Sequence, residues 1–442
     1  MECISLPVEN FSKDHFLILS HKFATVPYTS VFYSGGNYVA SLYSYLAIYP
    51  VENIIITEKD PIPWETLKSS LGDLQKNINK IPQWFGFISY PMGESADPYR
   101  IIPIKKTTFP LVQFHRYNYV FMYDHCKRSL SLYWQNGKNN HWLNIFRSAE
   151  FWKNLEDSSK TQNVDTFSIE KEIMGEQKID YYRNLASISD LIQSGIVYQL
   201  NYSHKFVLKG NPPPFSVFLR LAKDNPAPFS AYYYSTTFSI VSSSPELFLK
   251  KENNLLETRP IKGTAKRGKS KISDQMNYNY LIYSEKEKSE LAMITDLMRN
   301  DLGKISQIGS VKVINPSTIE AYTNVFQKFS IIQSYAKKNL HPVDMIRACF
   351  PAGSITGCPK LKAIEIINEL EQDSREIYTG SIGMFFTNGD FIFNVAIRTI
   401  IFHKDIITFR LGGGIVLDSI PDQEYLETLA KGESILQSLV SV

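Results

Sequence analysis

The stretch "KIDYYRNLASISDLIQSGIVYQLNYSHKFVL", residues 178–208, carries two periodicities in succession. In its first half Ile179, Tyr182, Leu185, Ile188 and the pair Leu191/Ile192 recur at three- and four-residue steps, the spacing of one helix face. Gly195 stands where such a helix would end. From Ile196 the period drops to two. Tyr198, Leu200, Tyr202, His204 and Phe206 fall on one face of a strand, and Gln199, Asn201 and Ser203 fall on the other.

The same mixture extends in both directions. "FSIVSSSPELFLKK" (238–251), "DFIFNVAIRTIIF" (390–402) and "IITFRLGGG" (406–414) read as strands, while helices are predicted from near Ser284 and around 358–371. Upstream, "TSVFYSG", "WFGFISY", "YNYVFMY" and "RSLSLYWQ" are short aromatic and β-branched runs separated by turns. Regular βαβ alternation is missing, so the expected class is α+β. A polar stretch, "EDSSKTQNVD" (156–165), suggests a boundary between a region 1–155 and a domain 166–442.

Bulk properties narrow the function. The 442 residues are 43% hydrophobic and 21% charged, with a net charge of +3 and no Lys/Arg block, so nothing points to nucleic acid or an anionic membrane. No apolar run approaches the roughly 18–20 residues that span a bilayer, and the N-terminus lacks a basic head before an apolar stretch. Cys3, Cys126, Cys349 and Cys358 show no metal-ligand or C-x-x-C spacing. The expectation is a cytosolic protein with reduced thiols.

Several segments carry chemistry. In "SEKEKSELAMITDLMRNDLGKI" (284–305), Glu287, Glu290, Ile294 and Leu297 fall at i, i+3, i+7 and i+10, so two carboxylates continue the apolar stripe. Neighbouring carboxylates turned inward need protons or a cation, and a hard ion such as Mg²⁺ suits them. Glu424 and Glu427 in "DQEYLETLAKG" repeat the spacing, although a solvated helix face is the simpler account of that pair taken alone. "RLGGGIV" (410–416) reads as a carboxylate-binding backbone nest or as a plain strand-ending turn. "FPAGSITGCPK" (350–360) suits an anion at a helix start. "AIRTI" sets Arg398 on an apolar strand, where a guanidinium needs an anionic partner. "ETRPIKGTAKRG" (257–268) places Lys262 in a tight turn of short side chains.

Taken in order, "YQLNYSHKF", "SSSPELFL", "RPIKGT", "ELAMITDLMRNDLGKI", "FPAGSITGCPK", "YTGSIGMF", "IRT" and "GGGIVLDS...EYLETLAK" resemble the chorismate-utilising enzymes over about 180–438. "VFYSGG", "YSYLAIYP" and "GFISYPMG" extend the resemblance more faintly upstream. It implies antiparallel β-sheets forming a sandwich flanked by helices. By resemblance, Glu290 and Glu427 are the principal Mg²⁺ ligands, with Glu287 and Glu424 beside them. Arg398, Tyr378, Lys431 and the backbone of Gly412, Gly413 and Gly414 match positions that hold substrate carboxylates, and Thr356 and Gly357 lie in the adjoining loop. Glu246 matches the general acid that protonates the departing hydroxyl.

Two positions sort the family's branches. Members that add water to chorismate carry a lysine base where this chain has Gln199. Members that make anthranilate carry a small residue where this chain has Lys262, and the branch that aminates chorismate at C4 carries lysine. There the lysine attacks C2 as the C4 hydroxyl leaves, and ammonia then enters at C4 and expels it. Gly263 and Thr264 leave room for the ring.

The resemblance therefore implies formation of 4-amino-4-deoxychorismate, the precursor of para-aminobenzoate and folate. Anthranilate formation or a silent chorismate-binding subunit are the alternatives. Gln327 stands where the family carries a histidine, which argues against aromatisation because an amide shuttles no proton near neutral pH. Tyr33 replaces a glutamate of the tryptophan site, so tryptophan feedback is not expected. The sequence holds no candidate glutaminase cysteine, and ammonia is expected from a separate glutamine amidotransferase subunit in a heterodimer.

Overall fold

The computed structural model describes residues 1–6, 11–36, 38, 40–74, 79–97, 102–107, 109–135, 141–159, 171–175 and 178–440. The 178–208 stretch forms the helix Lys178–Gln193 and the strand Gln199–Lys209. The helix buries Tyr181, Leu185 and Ile188, whereas Ile179 is 65% exposed. Tyr182, Leu191 and Ile192 also pack against the core, as the periodicity implies; Ile179 does not, and Tyr181 takes its place in the first turn. The strand is buried on both faces from Gln199 to His204, with the helices Lys178–Gln193 and Lys360–Leu370 packed against it.

Strand pairing can be walked without a break, and every pair is antiparallel. One layer runs through Gln199–Lys209, Ile406–Ile415, Thr399–His403, Ser239–Ser244, Phe229–Tyr234, Ser30–Tyr33 and Tyr43–Ile56 to Val112–Asp124. That last strand changes partners midway. Val112–Arg116 pairs with Pro82–Ile88, and Tyr119–Asp124 pairs with Ser129–Trp134. From Pro82–Ile88 the second layer continues through Ser381–Phe386, Phe391–Asn394, Leu247–Glu252 and Leu255–Arg259 to Val325–Tyr335. Ile261–Lys266 and Lys312–Ala321 also pair with Val325–Tyr335.

The two layers face each other. Phe87 and Ile382 from one pack with Ala231, Tyr233, Ile240 and Ile401 from the other. Each such aromatic or branched side chain contributes on the order of 1.5–3 kcal/mol on burial. Helices cover the outer faces. Phe215, Phe218, Leu221, Ile435 and Leu439 pack on Val241, Ile400 and Phe409, and Ile294, Met298 and Leu302 pack among Phe248, Leu249 and Ile332. The architecture is the expected α+β sandwich flanked by helices.

Strands from before and after the proposed boundary pair directly, as at Val31 with Tyr232 and Gly86 with Gly383. Of the boundary stretch itself, 160–165 lies outside the described residues. No described helix is long and apolar enough to cross a membrane.

Candidate active site

Two predicted strands are interrupted, a predicted turn is a strand with a bulge, and these departures build the site. "FSIVSSSPELFLKK" divides into Ser239–Ser244 and Leu247–Glu252, because Pro245 cannot continue the ladder, and Glu246 projects from the gap. "DFIFNVAIRTIIF" divides into Phe391–Asn394 and Thr399–His403. Arg398 therefore sits off the strand, with a left-handed φ of 50°, a conformation that costs a non-glycine residue energy and is tolerated where surroundings enforce it. Lys262 is not in a turn. It lies on the strand Ile261–Lys266, which pairs with Val325–Tyr335 except for a register shift between Ile261 and Thr264. Lys262 and Gly263 form that bulge, a device that re-aims a side chain out of the ladder. Gly263 has φ 92°, and a Cβ there would lie 2.8 Å from Glu287 Oε2.

These segments open into one cavity of about 700 Å³, within the range of small-molecule sites. Glu246, Lys262, Thr264, Glu287, Glu290, Gln327, Tyr378, Arg398, Gly412, Gly414, Glu424, Glu427 and Lys431 all line it. Gln199 lies behind the wall, fully buried, with neither amide atom hydrogen-bonded. A Cβ on Gly414 would meet Gln199 Nε2 at 2.4 Å and Lys262 Nζ at 2.8 Å, so the missing side chain is the space both groups occupy. Gln327 is also buried and its Oε1 is unsatisfied.

Electrostatics separate the roles of acid and amine. Burial lifts the Glu246 carboxyl to about 7, against the opposing pull of the Ser354 hydroxyl, Lys262 and the Ile261 N–H. Burial also lowers the Lys262 amine below the ordinary lysine value, with Lys431 adding to the effect and Glu290, Glu246 and Glu427 resisting it. A carboxyl raised toward neutrality beside an amine that burial makes less basic suits an acid and a nucleophile.

The four glutamates project from two helices, Glu285–Ile305 and Pro421–Leu439. Lys286 Nζ lies 3.9 Å from both Glu290 and Glu424, bridging the helices. Lys431 pairs with Glu427 at 2.7 Å, which holds that carboxyl below its usual range. Burial and the charges of Glu290 and Glu427 raise Glu287, and burial raises Glu424 although Ser419 donates to it at 2.7 Å. Among the described residues no three acidic, histidine or cysteine side chains are gathered closely enough to hold a metal ion by themselves. An all-oxygen donor set of this kind fits Mg²⁺, which takes one or two carboxylates and completes its shell with water and substrate oxygens.

Arg398 lines the same cavity, away from these pairs. Burial pulls Arg398 below the ordinary arginine value, and Tyr322 and Tyr38 oppose it. The glycine run is neither nest nor turn: Gly412, Gly413 and Gly414 are strand residues paired with Ser203, Tyr202 and Asn201. Their bare backbone admits neighbours closely. The Tyr378 hydroxyl would lie 3.0 Å from a Cβ on Gly412, and Lys431 Nζ 3.6 Å from one on Gly413. Thr356 and Gly357 do not line the cavity. The Thr356 hydroxyl donates to Ala352 and Gly353 carbonyls at 3.1 and 3.3 Å, and Gly357 lets the loop approach Gln199, whose carbonyl would lie 2.2 Å from a Cβ. The helix after this loop starts at Lys360, beyond the two residues.

Sequence reading missed Ser354, Asn201, Lys286 and Arg410, all of which line the cavity. Arg410 belongs to a buried network beneath it. Glu371 accepts from Arg375 at 2.7 and 2.9 Å, from Arg410 at 2.8 Å, and from the Ser203 N–H and hydroxyl at 2.9 Å each. Burial alone would raise Glu371, but the two guanidiniums override it and hold the carboxylate low. Arg375 also donates to the carbonyls of Asn201 and Ile355. Only the four-residue spacing of Glu371 and Arg375 was available as a signal.

A glutamate raised toward neutrality, a lysine amine, two facing acidic helices and an arginine describe a pocket for a small polyanion, and the chain belongs to the chorismate binding enzymes, whose family model matches residues 29–437. Aminodeoxychorismate synthase component 1 of Bacillus subtilis (strain 168) is 35% identical over 362 residues, spanning 80% of this chain and 76% of that protein. Anthranilate synthase component 1 of Acetivibrio thermocellus is 30% identical over 401 residues, 85% of this chain and 80% of that one. Among solved structures, anthranilate synthase component I from Streptococcus pneumoniae TIGR4 superposes with a TM-score of 0.74 at 26% identity, covering 90% of this chain and 93% of that chain.

Proposed function

We propose that the chain is the chorismate-aminating component of an aminodeoxychorismate synthase, converting chorismate and ammonia to 4-amino-4-deoxychorismate and water. The carrying observation is the bulge that turns Lys262 into the cavity, with its amine lowered by burial and Glu246 raised to about 7 in the same space. The similarity to component 1 of the Bacillus subtilis enzyme supports the same reading.

In this reading the neutral Lys262 amine attacks C2 while the C1–C2 double bond moves to C1–C6, the C5–C6 double bond moves to C4–C5 and the C4–O bond breaks. Glu246 gives its proton to the departing hydroxyl, which leaves as water. Ammonia then forms the C4–N bond, both double bonds return to their original places and the C2–lysine bond breaks. The proton shed by the new ammonium restores Glu246. Gln199 and Gln327 offer amide atoms with unfilled hydrogen-bonding capacity beside the ring, and neither can deprotonate water. Arg398, Tyr378, Lys431 and the 412–414 backbone would orient carboxylates.

Mg²⁺ would be held by Glu290 and Glu427, with Glu287 and Glu424 beside them, and when bound it neutralises a substrate carboxylate. The designation of relatives as component 1 supports a partner component, for which we infer a glutamine amidotransferase. Scattered unpaired cysteines agree with a cytoplasmic setting.

The similarity to anthranilate synthases favours a second reading, anthranilate formation. Purified protein incubated with chorismate, Mg²⁺ and ammonium at mildly alkaline pH separates the two by product mass. Aminodeoxychorismate that is absent with Lys262→Ala supports the first reading, and anthranilate formed by both proteins overturns it.

A further inference from the structure

Ser354 has no role in the mechanism above, yet it is 96% withdrawn from solvent, at 4% exposure, and lines the cavity. Its hydroxyl donates to Glu246 Oε1, a residue 108 positions away. Glu246 is likewise buried at 4% exposure; its own N–H donates to the Ser244 hydroxyl at 3.3 Å, its carbonyl accepts from the Val395 N–H, and its carboxyl also faces the Ile261 N–H and the Lys262 amine.

The loop bearing Ser354 is fixed from several sides. Lys360 Nζ donates to the carbonyls of Cys349 and Pro351 at 2.8 and 2.7 Å and pairs with Asp301. Gly353 packs so closely on the acidic helix that a Cβ would lie 2.7 Å from Leu297. The turn Gly353–Ile355 thus has little freedom, and the serine hydroxyl is delivered to one carboxyl oxygen.

We propose that Ser354 is a positioning residue for the general acid: by donating to Glu246 Oε1 it reserves that oxygen as acceptor, so that the proton sits on Oε2 and is presented to the leaving hydroxyl. The catalytic consequence rests on the proposed function; the hydrogen bond and its effect on Glu246 do not. A donor to a carboxylate favours the charged form, so its removal leaves burial less opposed and raises the acid.

The test reads the acid directly as well as through turnover. In the protein alone, the protonated-carboxyl infrared band of Glu246, recognised by its loss in Glu246→Gln, is followed against pH. In Ser354→Ala the band should persist to about one pH unit higher, and Ser354→Thr should restore the original titration. Turnover of Ser354→Ala should fall about tenfold with the KM for chorismate unchanged. An unmoved band in a variant with unaltered thermal melting overturns the positioning role. A shifted band in a protein that forms no amino product leaves that hydrogen bond standing and overturns the proposed function instead. A shifted band with undiminished turnover overturns its catalytic use.

Discussion

Lys262→Ala should abolish amination while chorismate binding, followed by calorimetry, stays within a few-fold of the parent. Lys262→Arg should fail equally, because a guanidinium retains its proton and offers no nucleophile. For Glu246 the sign is fixed by its raised value. The carboxyl is protonated below about 7 and loses that proton as pH rises through it, so the limb of the kcat/KM profile near 7 should vanish in Glu246→Gln. Glu290→Gln should raise the Mg²⁺ concentration for half-maximal activity at least tenfold. Glu287 and Glu290 were legible because three-residue spacing puts them on one helix face with Ile294. The bond from Ser354 to Glu246 was not, because 108 residues separate donor from acceptor and no local pattern encodes it.

At the scale of single elements, the glycines set the tolerances. Gly414→Ala would place a methyl 2.4 Å from the Gln199 amide and 2.8 Å from the Lys262 amine. It should cut kcat by two orders of magnitude or more and also lower the melting temperature, since Lys262 can swing into the cavity but the fully buried Gln199 amide has to be displaced. Gly263→Ala should instead cost about 1–2 kcal/mol of stability, measured by urea unfolding, because a left-handed φ of 92° strains any side chain. Strands were readable as apolar runs, but their interruptions were not. Pro245 and Arg398 break runs whose composition alone looked continuous, and the bulge at Lys262 depends on the register of a partner strand some 60 residues on. The helix at 178–193 was recognisable by period. Its face was right from Tyr182 onward, and the miss is confined to the first turn, where Tyr181 is buried and Ile179 is exposed because only tertiary packing fixes how a helix end sits.

Over the whole molecule, the sandwich closes because Val112–Asp124 pairs with one layer at its first half and with the other layer's continuation at its second. Phe87, from a neighbouring strand, fills the space between the layers. Phe87→Ala should destabilise the protein by about 3–5 kcal/mol and lower its urea midpoint without altering the KM for chorismate. The α+β class followed from mixed periodicities. The layer assignment did not, because all pairings that join the layers are long-range. The network under the cavity floor shows the same dependence on distant partners. Glu371 and Arg375 come from one segment and Arg410 from a strand 35 residues on, and together they fasten the strand at 199–209 to the loop at 353–357. Losing Glu371 alone leaves two buried guanidiniums without their shared anion, whereas losing either arginine leaves the carboxylate with one cation and unfilled acceptor capacity. The floor therefore fails as a unit, and a change to one of its three side chains calls for a matching change in the others.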